Sequence, residues 1–402
     1  MIRQPVGNTL TSKFTMQEKL CLLLLLLSPF STFIAPFSSY YISMMDVIIP
    51  FMAIVATYFF GSNLLDLSKK KYVIPYFIVM MLVWCSPFYF HFERPSTSLL
   101  LELFFICTFT LLKFNARLWV YEKFLKILSI IFLLGIIEFF LSRIGVTHIT
   151  AQLERTGVEH ERTFYQGVFL ILPEYWDYIL FRFQSLAEEP GLIGTLSAFI
   201  LITINARKYK IQTIIFAISG ILSMSLAFYL LMSIWIISKI SFRNFKLLIS
   251  IFICVTVVFV IFNDMLMHMI FERVLNGLRL GTIDNRSSEL VNSLYKDVIS
   301  SVNLMFTGVG LRTFLSMGAD ASAGFKKVVV EYGLIPILIA IFATCKFFWQ
   351  YNGKYKGALV TLIIFCISLY QRFDLNLITN TIVLFTALEL RKVEYENNHM
   401  CT

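Results

Sequence analysis

Residues 124–142 read FLKILSIIFLLGIIEFFLS, an apolar run in which only Lys126 and Glu138 carry charge. A helix needs about 20 apolar residues to cross the hydrocarbon core of a bilayer, so this run predicts a membrane span. Eleven further apolar stretches lie at 20–37, 43–62, 72–92, 98–112, 191–205, 211–219, 222–238, 247–263, 328–345, 357–370 and 375–390. We therefore expect an all-α, polytopic integral membrane protein of about 12 transmembrane helices.

The composition supports a membrane protein without a large soluble domain. The chain has 402 residues, of which 58% are hydrophobic and 15% charged, whereas soluble domains average about 25% charged residues. Residues 1–402 are therefore predicted to form a single transmembrane domain. The seven cysteines are scattered through apolar runs and suggest no disulfide framework. The net charge of +9 does not indicate nucleic acid, because its placement fits membrane topology.

Basic residues alternate along the chain as the positive-inside rule requires. Seven segments hold 21 of the 34 lysines and arginines, and we predict that they are cytoplasmic, together with both termini. Basic clusters on both sides of 211–238 favour a hairpin that turns around Ser219 and Gly220 over one long helix. The cytoplasmic segments are 1–19, 63–71, 113–126, 206–210, 239–246, 346–356 and 391–402.

Two long loops, 143–190 and 264–327, are predicted on the outer side, and function should be sought there. The first contains an apolar stretch, 163–183, that resembles a span but is interrupted by Pro173, Glu174 and Asp177. A crossing there would break the alternation of charge. We expect this stretch to be an interfacial helix or a re-entrant segment.

The two sides use different basic residues. The cytoplasmic segments contain 16 lysines and 5 arginines, whereas the outer segments contain 10 arginines and 3 lysines. Guanidinium holds phosphate bidentately, which an ammonium cannot do. This split predicts an anionic, phosphate-bearing ligand at the outer face. The alternative is that each outer arginine only pairs with an acidic neighbour and orders the loop.

The sequence contains no motif for binding a metal ion or a nucleotide. The five histidines lack zinc-ligand spacing, and there is no phosphate-binding GxxxxGK[ST] loop. The first outer loop lacks the acidic pair of metal-dependent membrane glycosyltransferases. We therefore predict neither a metal nor a cofactor. Asp46, Glu102 and Glu138 lie within or beside spans, where carboxylates either couple ions or hold helices together.

Five short motifs follow one another over about 180–345. They are Arg182-Phe-Gln-Ser-Leu-Ala-Glu188-Glu189-Pro190-Gly191, Ser223-Met-Ser225, Arg286-Ser-Ser-Glu289, Gly308-Val-Gly310 and Glu331-Tyr-Gly333. This ordered set resembles the O-antigen polymerase family, within the superfamily that also contains the O-antigen ligases. Ligases carry a histidine close before the helix that begins near Gly333. Here the stretch 321–325 reads ASAGF, without histidine, which favours a polymerase.

The resemblance implies a metal-independent glycosyltransferase of the bacterial inner membrane. Such a protein joins lipid-linked oligosaccharide repeat units on the periplasmic face, by moving the glycan from undecaprenyl pyrophosphate to the hydroxyl of an incoming unit. Its product is O-antigen or another surface polysaccharide. A chain-length regulator and a flippase are the implied partners. The alternatives are an O-antigen ligase and a lipid-linked oligosaccharide flippase or other transporter.

The reaction requires cations for the departing pyrophosphate and a base for the attacking hydroxyl. On the matching motifs, Arg182 and Arg286 are the expected pyrophosphate ligands, with Arg279 and Arg312 as further candidates. Glu189 or its neighbour Glu188 is the expected base. One of the two glutamates could instead cap the helix begun by Pro190. We expect Gly191, Gly308 and Gly310 to allow tight turns.

Overall fold

The computed structural model of the chain describes residues 14–33, 40–146, 151–155, 162–173, 182–187, 189–239, 289–316, 324–352, 356–371 and 378–399. These residues are mostly helical. The helices are α1 Met16–Phe33, α2 Tyr40–Phe60, α3 Lys70–Trp84, α4 Ser86–His91, α5 Thr97–Leu111, α6 Phe114–Arg143, α7 Pro190–Thr203, α8 Lys210–Leu222, α9 Leu226–Lys239, α10 Glu289–Ser300, α11 Val302–Thr307, α12 Leu311–Ser316, α13 Phe325–Tyr332, α14 Leu334–Asn352, α15 Lys356–Gln371 and α16 Ile378–His399.

Among the described residues, three helical segments are long and apolar enough to cross a membrane: Leu67–His91, Phe114–Arg143 and Leu334–Tyr351. Seven further apolar helices have 10–17 residues, fewer than the roughly 20 that a perpendicular crossing needs. Most of the predicted spans thus correspond to apolar helices. The predicted span 247–263 lies outside the described residues.

Helices α3 and α14 pack side by side in opposite directions. The rings of Tyr76 and Phe347 stack at 4.4 Å between their centres, and the rings of Trp84 and Tyr332 meet edge to face at one end of the pair. At the other end, Lys69 Nζ donates to the hydroxyl of Tyr351 at 3.0 Å. The residues around Trp84 and those around Lys69 therefore lie at opposite ends of this helix pair.

The predicted hairpin in 211–238 is formed by α8 and α9, but its turn lies later than expected. The helices separate at Ser223–Ser225, where Met224 has φ 45°. Gly220 is inside α8, where a Cβ would lie 2.1 Å from Cε2 of Phe228. Its role is to let the Phe228 ring of α9 pack against α8, so the glycine marks a close approach and not the turn.

The predicted start of the tenth span, residue 328, is also corrected. A short helix, α13, ends at Tyr332, and Gly333 separates it from α14 with φ 90°. L-residues with a side chain rarely adopt that backbone conformation. The helix that is long enough to cross a membrane therefore begins at Leu334.

The expectation of an all-α chain, with an interfacial helix in 163–183, is wrong for the described part of that stretch, whereas the alternative of a re-entrant segment stays a prediction. Three antiparallel strands form a sheet in the order β1 Ala151–Arg155, β2 Arg162–Gln166 and β3 Ile171–Pro173. In the register, Leu153 is opposite Phe164 and Tyr165 is opposite Leu172. Aromatic and β-branched residues favour paired strands.

Glu138, one of the three carboxylates in or beside spans, fastens this sheet to α6. Its oxygens accept the backbone N–H groups of Val168 at 2.8 Å and Phe169 at 2.7 Å. A Cβ on Gly167 would lie 1.9 Å from Glu138 Oε1, so the loop approaches the carboxylate as closely as a glycine permits. Glu138 therefore holds the first outer loop, which is a structural role.

Candidate functional site

Arg182 is held against the turn between α8 and α9. Its Nε–H donates to the carbonyl of Ser223 at 3.0 Å, and the next backbone N–H, that of Phe183, donates to the carbonyl of Leu222 at 3.0 Å. The Arg182 side chain is half-buried, whereas Phe183 and Ala187 are fully buried. A hydrogen bond through Nε fixes the plane of the guanidinium, and a planar fork held in one orientation favours bidentate phosphate binding.

The start of α7 packs against the same turn. A Cβ on Gly194 would lie 2.4 Å from Cβ of Ser225 and 2.8 Å from Oγ of Ser223. Only a glycine allows α7 to approach the α8–α9 turn at this distance. The sequence motifs Arg182–Gly191 and Ser223–Ser225, which are more than 30 residues apart, therefore meet in one region.

Glu189 occupies the N-cap position of α7, and Pro190 is the first helical residue, as the sequence predicts. The Glu189 backbone is extended, with φ −143° and ψ 146°, and its carbonyl accepts the N–H of Leu192 at 3.1 Å. Among the described residues, the Glu189 side chain makes no capping hydrogen bond to the first turn of α7. Glu188, its alternative as the base, lies outside the described residues.

Arg312 belongs to a different region. Its backbone N–H and that of Leu311 donate to the two oxygens of Glu93, at 3.1 Å and 2.6 Å, and its side chain is exposed. Arg279 and Arg286, the other two predicted phosphate ligands, lie outside the described residues. The structure thus describes three of the six predicted site residues, with Arg182 and Glu189 in one region and Arg312 in the other.

The turn before Arg312 is built as the glycine pattern predicts. Gly308 and Gly310 have φ 65° and 86°. The N–H groups of Val309 and Gly310 donate to the carbonyls of Val330 and Glu331, at 2.8 Å and 3.3 Å. A Cβ on Gly308 would lie 2.5 Å from the Glu331 carbonyl oxygen. The turn therefore lies directly against the end of α13.

Two carboxylates converge on this turn. Glu93, which follows α4, is 6% exposed, and Glu331, in the last turn of α13, is 8% exposed. A Cβ on Gly310 would lie 2.7 Å from Glu93 Oε1. Lys327 Nζ lies 3.8 Å from Glu331 Oε1, and His91 Nε2 donates to the Thr307 carbonyl at 2.9 Å. We call Glu93, Glu331 and Lys327 the carboxylate site.

Burial raises the pKa of Glu331 to about 7. The positive charge of Lys327 opposes that rise in pKa, and the negative charge of Glu93 adds to it. A carboxyl group with this pKa exchanges protons near neutral pH. General acid–base catalysis favours that range, since both protonation states are then populated.

Sequence reasoning did not select Glu93 or Glu331 as site residues. Glu93 lies in a short predicted outer segment that shows no motif, and Glu331 belongs to a motif of the family resemblance that carries no predicted site role. Glu93 and Leu311 are 218 residues apart in the chain. A local pattern carries no signal for such a contact.

No protein-family model, curated protein or solved structure matches the chain.

Proposed function

We propose that the protein polymerises lipid-linked oligosaccharide repeat units. It transfers the glycan from undecaprenyl pyrophosphate to a hydroxyl of the incoming unit, without a metal, in the synthesis of O-antigen or another surface polysaccharide. The fixed guanidinium of Arg182, held through Nε at the α8–α9 turn beside the start of α7, carries this proposal. A helix N-terminus and a planar cation favour a phosphate group together.

In this proposal, Arg182 binds the pyrophosphate, with Arg286 as the second principal ligand and Arg279 and Arg312 as additional cations. Negative charge accumulates on the departing pyrophosphate in the transition state, so cations fixed beforehand lower the barrier. A base takes the proton of the attacking hydroxyl. Glu189 or Glu188 is the candidate base from the sequence.

The proposed setting is the bacterial inner membrane, crossed about twelve times, with both termini in the cytoplasm. The opposite ends of the α3–α14 pair support this sidedness, because Lys69 is in a predicted cytoplasmic segment and Glu93 in a predicted outer one. A membrane-impermeant thiol reagent applied to intact cells should label Phe92→Cys and not Lys70→Cys, since both native side chains are exposed. The parent protein sets the background from native cysteines.

The test is deletion of the gene in its host, followed by separation of the surface glycans on a gel. We expect a ladder to collapse to core plus a single repeat unit. Arg182→Ala should fail to restore the ladder, with a loss of about 100-fold, and Arg182→Lys should also be impaired. Arg94→Ala, at another exposed outer arginine, is the matched control and should restore it.

Two other outcomes would contradict the proposal. Lipid-linked polymer that accumulates without reaching the surface would identify a ligase, and unpolymerised units retained on the cytoplasmic side would identify a flippase. Wild-type polymer length and yield from Arg182→Ala and Arg286→Ala, at normal protein levels, would refute the phosphate ligands. Two features of the sequence oppose the rivals: 321–325 lacks the ligase histidine, and charge is concentrated outside the spans.

A further inference from the structure

The carboxylate site and Arg182 both lie in or beside predicted outer segments, and no step assigned so far uses the carboxylate site. Among the described side chains at the turn 308–310, two carboxylates meet one ammonium, so negative charge exceeds positive charge within this part of the structure. A purely structural contact would be stronger with balanced charges, because a buried carboxylate without a cation loses solvation. This excess of negative charge calls for a chemical explanation.

Glu93 and Glu331 have different surroundings. Glu93 accepts two backbone N–H groups, from Leu311 and Arg312, and such bonds stabilise a negative charge. Glu331 lies beside Lys327 at 3.8 Å, longer than a hydrogen bond, and is nearly fully buried. Of the two, Glu331 is the carboxylate whose surroundings suit proton exchange.

We infer that Glu331 is the group that accepts the proton of the attacking hydroxyl, and that Glu93 and Lys327 are positioning residues that set its proton affinity. The inference rests on the proposed function and deepens it. It offers Glu331 in place of Glu189 or Glu188, because a single group takes the proton from the hydroxyl.

The step is balanced without any further reactant. The hydroxyl oxygen of the incoming unit forms a bond to the anomeric carbon of the donor sugar, and the bond from that carbon to the pyrophosphate oxygen breaks. The bonding electron pair leaves with the pyrophosphate. The hydroxyl proton moves to a carboxylate oxygen of Glu331 and from there to water. No atom changes its oxidation state.

One helix packs against both the carboxylate site and the Arg182 region. Helix α15 packs against α13, which carries Glu331, and also against α7 and α9, which lie beside Arg182. The titratable groups around Glu331 are Lys327 on α13, Glu93 and His91 at the end of α4, the neighbouring Tyr332, and Cys85 between α3 and α4.

The test uses the full-length protein in phospholipid vesicles with a lipid-linked repeat unit, and measures the initial rate of polymer formation from pH 5 to 9. The wild-type rate should rise with pH through about 7, where the pKa of Glu331 lies. Glu331→Gln should lower the plateau rate by about 100-fold or more, the usual contribution of a general base. Glu122→Gln, on an exposed pair with Lys208, is the matched control.

The two positioning residues should move the pH profile in opposite directions. Lys327→Gln removes a positive charge, so the rise in rate should shift to higher pH. Glu93→Gln removes a negative charge, so the rise should shift to lower pH. A residue that only supports the fold would lower the amount of active protein without moving the profile, and Lys327→Gln remains informative if Glu331→Gln does not fold.

The outcomes separate the two proposals. A wild-type protein that polymerises, with Glu331→Gln at the wild-type rate or with a profile unmoved by Lys327→Gln and Glu93→Gln, overturns this inference and leaves the polymerase proposal intact. A wild-type protein that makes no polymer in the vesicles or in its host overturns the polymerase proposal and this inference with it.

Discussion

Two clusters of charged residues lie at opposite ends of the α3–α14 pair, and they differ in balance. At one end, Glu389 of α16 forms ion pairs with Arg117 and with Lys69, and the Lys69 ammonium lies 4.5 Å from the centre of the Tyr351 ring. At the other end, the ammonium of Lys327 and the carboxylate of Glu93 both lie near Glu331. We call the first group the paired cluster; the second is the carboxylate site.

The difference indicates a division of labour. In the paired cluster, Arg117 is fully buried, and its two cations, Arg117 and Lys69, have two carboxylates beside them, Glu389 and the nearby Asp66, so positive and negative charges balance. In the carboxylate site, two like charges lie near each other, which costs stability and keeps a proton exchangeable. The paired cluster fits a role in holding α3, α6, α14 and α16 together. The carboxylate site fits a role in chemistry.

The largest effect on stability should come from breaking the paired cluster. Glu389→Gln leaves the buried guanidinium of Arg117 without its carboxylate, which typically costs 3–5 kcal/mol. Glu389 is 23% exposed, so we expect about 3 kcal/mol, at the low end of that range. Thermal unfolding of the purified protein in detergent would measure it.

The matched control is Glu122→Gln, which removes the acid of an ion pair with Lys208. Both side chains of that pair are about 40% exposed, at 43% and 39%, and exposed pairs contribute about 0–1 kcal/mol. Equal losses of stability in the two variants would show that burial of Arg117 does not matter, and would remove the basis for the comparison.

A substitution in the carboxylate site should change the stability in the opposite direction. Burial raises the pKa of Glu331 to about 7 from an ordinary 4.5. A raised carboxyl pKa destabilises the fold above about pH 7, and this cost develops as the pH rises from 4.5 to 7, because the unfolded chain releases the proton first. Glu331→Gln should therefore stabilise the protein at pH 8, by about 2 kcal/mol, and leave its stability unchanged near pH 4.

Thermal unfolding at the two pH values would check this prediction, with the wild type measured in the same buffers. If Glu331→Gln lost stability at pH 8, as Glu389→Gln should, the ionised carboxylate would be a net stabilising partner of Lys327. The two clusters would then be alike, and the carboxylate site would have no excess charge to explain.

The sequence predicts the helices of the protein better than it predicts the contacts between charged residues on different helices. Hydropathy locates α6, and the Pro190 pattern locates the start of α7, since both depend on residues near each other in the chain. The bond from Leu311 to Glu93 joins residues 218 positions apart, and Glu389 and Arg117 lie even further apart in the chain. Only the folded arrangement brings these residues together.

The sheet in the first outer loop illustrates a second limit. An apolar run fits a helix and a strand equally well. In a chain with many apolar helices, hydropathy therefore makes 163–183 look like one more helix that lies in or on the membrane. Pairing with Ala151–Arg155 decides for a strand, and that segment reads as charged and polar. The expected helix failed because the partner strand could not be identified from its own residues.

The smallest expected effect concerns the turn that supports the carboxylate site. Gly310 and Gly145 have nearly the same backbone conformation, with φ 86° and 82°, but differ in surroundings. A Cβ on Gly310 would lie 2.7 Å from Glu93 Oε1 and 3.1 Å from His91 Cγ, whereas a Cβ on Gly145 would meet no described atom within 4 Å. Alanine at either site bears the same backbone strain of about 1 kcal/mol. Gly310→Ala should cost about 1 kcal/mol more than Gly145→Ala, because the Glu93 carboxylate must move and weaken its bonds to Leu311 and Arg312.

Thermal unfolding of the two glycine variants measures that difference in stability. Glu93→Ala combined with Gly310→Ala should reduce the difference, because the displaced carboxylate is then absent. Equal costs in the two glycine variants would mean that Glu93 adapts freely, and a carboxylate that adapts freely could not set the proton affinity of Glu331.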